Sequence, residues 1–85
     1  MITGTEVTAI RRISDDRTKW RVLVEAWPEE PGYRGRLVFA PDGLDAPLPA
    51  REGPAAFSGR TREDVLRQAW EMPEQQLRVM LHSLG

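Results

Sequence analysis

The amino-acid sequence predicts an α+β domain: an antiparallel three- to four-stranded β-meander followed by two C-terminal helices packed on one sheet face. Three observations carry that expectation. Apolar and polar residues alternate through the first half of the chain, the period of a half-buried strand. Clusters of Pro, Gly, Asp and Ser cut that half into runs of strand length. After Arg60 the apolar spacing changes to three and four, the period of a helix.

The first strand is expected at about residues 5–13, with the β-formers Val7, Thr8, Ile10 and Ile13, and ends at the turn cluster Ser14-Asp15-Asp16. The second, at 20–27, alternates Trp20, Val22, Val24 and Ala26 against Arg21, Leu23, Glu25 and Trp27, and stops at Pro28. The third spans 33–40. Residues 41–54 hold Pro41, Gly43, Pro47, Pro49, Gly53 and Pro54, so a loop along one sheet edge is expected, then a short fourth strand at 55–58. Thr61 is positioned to cap a helix over 62–72, its hydroxyl accepting from the amide of Asp64, with Val65, Leu66, Ala69 and Trp70 as the inner stripe. Pro73 breaks that helix and begins a second, over 73–84, with Leu77, Met80, Leu81 and Leu84 on one face. With few side chains to anchor it, this last helix is expected to lift easily. Residues 1–85 therefore read as a single domain with one core.

Strand register follows from side-chain faces, because a slip of one residue exchanges the two faces. Pairing Val24 with Leu37 and Val22 with Phe39 sets Ala26 opposite Gly35 and makes one face wholly apolar. The other face then pairs Glu25 with Arg36 and brings Arg34 to Trp27 as a cation–π contact. The expected core is Trp20, Val22, Val24, Leu37, Phe39, Leu66, Ala69, Trp70, Leu77 and Leu81. The second face carries Leu23 and Val38, joined by Ile10 if Ile13 pairs with Trp20. That first-hairpin register also turns Arg11 inward, which a β-bulge would relieve.

An apolar row with an aromatic and arginines around it is the composition enriched at protein contacts. The candidate contact residues are thus Ile10, Leu23, Val38, Trp27, Arg12, Arg21, Arg34 and Arg36. The loop of residues 41–54 or the last helix is the alternative cover for that row.

Composition narrows the function classes. Apolar residues at 40% and charged residues at 29% describe a folded globular chain. Twelve Lys and Arg against thirteen Asp and Glu give a net charge of -1, which argues against a non-specific nucleic-acid binder. Lys19 is the only lysine; arginine, which dominates, suits bidentate and stacking contacts. The absence of cysteine excludes disulfides, a cysteine nucleophile and thiolate metal sites, and fits the cytoplasm. The N-terminal residues lack the pattern of a signal peptide, and no apolar run approaches the ~18 residues that span a bilayer, so no membrane partner is expected. His82, the only histidine, suits the negative end of the last helix. Asp15-Asp16 and Asp42 with Asp45 do not follow calcium-loop spacing, and the glycines are too scattered for a phosphate loop.

No catalytic constellation, cofactor or metal site is legible. The expectation is a small non-enzymatic protein-interaction or regulatory module, binding a protein partner or forming a homodimer through the second sheet face. The alternative is a single-stranded nucleic-acid-binding domain that stacks bases on Trp27 with Arg21, Arg34 and Arg36 around it. The run Gly59-Arg60-Thr61-Arg62-Glu63-Asp64-Val65-Leu66-Arg67-Gln68-Ala69 is similar to the strand-to-helix junction of HicB-type antitoxins, which also place a helix after three strands. That likeness is chiefly a capped helix start, and no functional residue is carried over from it.

Overall fold

The structure, a computed structural model, describes residues 4–42 and 49–84. It is α+β. Strands β1 (Glu6–Asp15), β2 (Thr18–Glu29), β3 (Gly32–Pro41), β4 (Arg51–Glu52) and β5 (Phe57–Gly59) precede helices α1 (Arg62–Trp70) and α2 (Glu74–Ser83). The sheet is antiparallel in the order β1-β2-β3-β4, and β5 also pairs with β3. The expected fourth strand at 55–58 thus falls at 57–59, and a second short segment, β4, lies inside what the proline density suggested was loop. The centre of that loop, residues 43–48 with Asp45, lies outside the described residues.

Two tight turns build the meander. Asp15 pairs with Thr18, which leaves Asp16 and Arg17 as the turn, with φ of 49° and 72°. Left-handed backbone at both central residues matches the twist of a two-residue hairpin. Arg17 holds that conformation against its own Cβ, where glycine would not. Arg17→Gly is therefore expected to stabilise the domain by up to about 1 kcal/mol, read as a rise of a few degrees in a thermal melt.

The second hairpin pairs Glu29 with Gly32 around a cis Glu30–Pro31 bond. A Cβ on Gly32 would lie 2.2 Å from the carbonyl oxygen of Gly59, so only glycine lets β5 end this close. Pro28 does not end β2, as the sequence suggested. It pairs with Tyr33, and β1 pairing begins only at Ala26, so the missing amide faces no neighbour on that side.

Val24 pairs with Leu37, Val22 with Phe39 and Ala26 with Gly35, as the side-chain faces require. Ile13 pairs with Trp20, and a register shift between Ala9 and Arg11 marks a bulge in β1. Both helices pack on the apolar face. Buried there are Ile10, Ile13, Trp20, Val22, Val24, Ala26, Leu37, Phe39, Phe57, Val65, Ala69, Leu77 and Leu81.

Trp70 is a correction: it is 52% exposed and stands outside the core. Val65 and Ala69 face the sheet instead, and Gln68 donates to the carbonyl of Ser58 at 2.6 Å on their other flank, which fixes the helix rotation. Trp70 lies five residues past Val65, about 140° round the helix. Leu66, on the same flank as Trp70, is half-buried.

The Thr61 cap forms as expected. Its hydroxyl accepts from the Asp64 amide at 3.2 Å, and the Asp64 carboxylate accepts from the amides of Thr61 and Arg60. The Thr61 amide, more than any other neighbour, holds the Asp64 carboxyl below its ordinary pKa. Pro73 separates the two helices and occupies the N-cap position of α2.

Helix α2 is better anchored than the sequence implied. Leu77 and Leu81 are fully buried, and Arg78 donates to the Ser14 carbonyl at 3.1 Å. Arg51 donates to the Leu81 carbonyl at 3.0 Å while its guanidinium lies over the Trp20 ring at 4.8 Å. His82, exposed, meets the Asp15 carboxylate at 3.1 Å, so it ties α2 to the first turn besides standing at the helix end.

Candidate functional site

With both helices on one face, the outer face of the sheet is built by the alternate residues of each strand. Along β2 these are Arg21, Leu23, Glu25 and Trp27, flanked on β3 by Ala40, Val38, Arg36 and Arg34. On the β1 side the partners of Arg21, Leu23 and Glu25 are Arg12, Ala9 and Val7. Leu23 and Val38 are directly paired and half-buried, as expected.

Ile10 does not join them. The bulge at Ala9–Arg11 adds one residue to β1, so side chains before and after it change phase relative to β2. Ile10 is consequently buried in the core, 6% exposed, and Ala9 and the exposed Val7 complete the outer row. The signal for this was present in the sequence as the inward-pointing Arg11.

Polar contacts bracket the row. Arg36 binds Glu25 at 2.5 Å across the strands and Glu52 at 3.4 Å. The hydrogen bond from Arg36 to Glu25 raises the already high pKa of the guanidinium. With both side chains partly exposed, such a pair contributes no more than ~1 kcal/mol. Arg36, not Arg34, lies over Trp27, at 5.9 Å from the ring centre. Trp27 also donates from Nε1 to Glu29 at 3.3 Å. Arg34 turns to Glu29 at 3.7 Å and to the Ala55 carbonyl at 3.1 Å.

Arg12 and Arg21 stand opposite one another at the other end of the face, and Arg12 reaches Asp42 at 3.2 Å. A hollow of about 180 Å³ opens there beside the bulge, lined by Arg11, Arg12 and Arg21. A larger hollow of about 380 Å³, between the second turn and β5, mixes Glu29 and Glu30 with Arg34 and Arg60.

The eight expected contact residues therefore divide. Leu23, Val38, Trp27, Arg12, Arg21, Arg34 and Arg36 share the outer face, and Ile10 does not. Helix α2 packs on the inner face and is not the cover of the row. Stacking of bases on Trp27 would have to displace Arg36 and Glu29 and accept three nearby carboxylates, Glu25, Glu29 and Glu52. Among the described residues no three His, Asp or Glu side chains converge as a metal site, and no helix is long and apolar enough to cross a membrane. Compared with known protein families, curated proteins and solved structures, the chain matches none.

Proposed function

We propose that this chain is a small, non-enzymatic interaction module that docks a protein on the outer face of its sheet. One observation carries the reading. Leu23 and Val38, with Ala9 and the 56%-exposed Val7 beside them, form an apolar row on the face opposite both helices. A sheet face turned only to water ordinarily carries polar residues at such positions. The rim of Trp27 and arginines adds the side chains that dominate binding energy at protein contacts. The engagement of His82 with Asp15 supports a structural role for the only histidine. A cytoplasmic location belongs to the same reading, and the lack of cysteine suits it.

Leu23→Asp tests the premise. At concentrations low enough for a monomer, the variant is expected to melt within a few degrees of the parent, because the inner core is untouched. A variant that unfolds would mean that the chain covers this row itself, and the reading would fall. Oligonucleotide titration separates the second class: retention that weakens steeply with salt would favour single-stranded nucleic acid instead.

A further inference from the structure

The outer face is electrically lopsided along its strands. Toward the first turn, Arg12, Lys19 and Arg21 gather against one carboxylate, Asp42. Toward the second turn, Glu25 and Glu29 balance Arg34 and Arg36, and Glu52 lies beside Val38 at the middle of the face. Arg12 and Arg21 are direct cross-strand partners, a like-charge placement that costs stability in an isolated sheet. Lys19 and Arg21 are both exposed and make no ion pair among the described residues.

We propose that a second copy of this chain covers the face, related by a two-fold axis that lies between the sheets and runs across the strands near Leu23. The proposal rests on the docking reading above and names its partner. Two simple two-fold stackings of identical faces exist. An axis along β2 would set Lys19 and Arg21 over their own copies. An axis across the strands reverses strand direction in the second copy and brings the basic end of each face over the end of the other that holds Glu25 and Glu29.

The register of that second stacking follows from β2. Leu23 lies midway between Arg21 and Glu25, so Leu23 meets its own copy and Arg21 faces Glu25 of the other chain, twice. Val38, the cross-strand partner of Leu23, meets its own copy as well. Lys19 comes over Trp27 of the other copy, within reach of a cation–π contact. Of the two stackings only this one sets Arg21 over a carboxylate rather than over its own copy, which is how a polar pattern selects a register. Strands about 4.8 Å apart, with some ten residues at about 3.4 Å each, offer roughly 600 Å² per copy, at the lower end of stable interfaces. A dimer of moderate strength follows.

Sedimentation of the full chain and two charge variants tests this. The parent is expected to dimerise with rising concentration and to dissociate with rising salt. R21E and E25K should each weaken self-association by about tenfold or more, because each sets like charges at both symmetry-related contacts. An equimolar mixture of R21E and E25K should associate nearly as well as the parent, since the mixed dimer restores opposite charges at both contacts. Arg36 keeps Glu52 at 3.4 Å in E25K, and thermal melts of each variant check that the fold is retained. A parent that stays monomeric at every soluble concentration overturns the self-pairing, while the docking reading then stands or falls on the Leu23→Asp melt. R21E that dimerises like the parent, or a mixture no tighter than either variant alone, overturns the proposed orientation.

Discussion

Truncating Phe39 to alanine is expected to cost on the order of 3–5 kcal/mol and to leave much of the population unfolded. Phe39 has no exposed surface and stands in the middle of the sheet, between Val22 on β2 and Arg51 on β4. It belongs to the cluster that joins the strands to Val65 and Ala69 of α1 and to Leu77 and Leu81 of α2. Neighbours held by strand ladders on both sides cannot close the space that the ring leaves, so the cavity adds to the lost transfer energy. A chain of 85 residues has few kcal/mol to spare against such a loss. Urea denaturation followed by circular dichroism measures it. A midpoint within experimental error of the parent would show that the helices are not held through this side chain.

The second hairpin was legible because its two strands alternate without interruption. Val22, Val24, Leu37 and Phe39 admit one register that keeps Arg34 and Arg36 off the core, and that register is the one formed. The cap at Thr61 and the break at Pro73 were legible for local reasons, since each depends on side chains within four residues. The outer face followed from the same alternation, which is why Leu23, Val38, Trp27 and four arginines are found together.

What the sequence concealed arises where periodicity changes phase or where partners are far apart. The bulge in β1 inserts one residue, and that single step carries Ile10 from the outer row into the core. The place of Trp70 is hidden in the sequence because Val65, Leu66, Ala69 and Trp70 make a stripe wide enough to be centred in two ways. Size decides between them: the small Ala69 lets α1 approach the sheet, whereas a tryptophan there would hold it off. The anchoring of α2 by Arg51, Arg78 and His82 joins residues at least 30 apart in sequence, and no local pattern announces such contacts.

The seating of α1 depends on a glycine that no turn requires. Gly35 lies in the middle of β3 opposite Ala26, and a Cβ there would come within 2.3 Å of the Val65 Cγ1 methyl group. Val65 has no exposed surface, so it cannot swing into solvent to make room. Gly35→Ala is therefore expected to cost about 1–3 kcal/mol through overpacking, even though alanine suits a strand better than glycine does. Val65→Ala alone should cost about 2 kcal/mol, from the loss of buried methyl groups and the space they leave. Together the two substitutions partly compensate. Removing Cγ1 leaves the new methyl group 3.7 Å from the Cβ of residue 65, an ordinary contact, although the Glu25 carbonyl oxygen at 3.0 Å remains tight. The double variant should accordingly be more stable than the sum of the single losses predicts, by about 1 kcal/mol or more, which is the coupling expected of residues in direct contact. A four-corner cycle of denaturation midpoints measures this term. Strict additivity would mean that α1 is not pressed onto β3 at this point, and the absence of a side chain at Gly35 would then lose its explanation as the space into which Val65 fits.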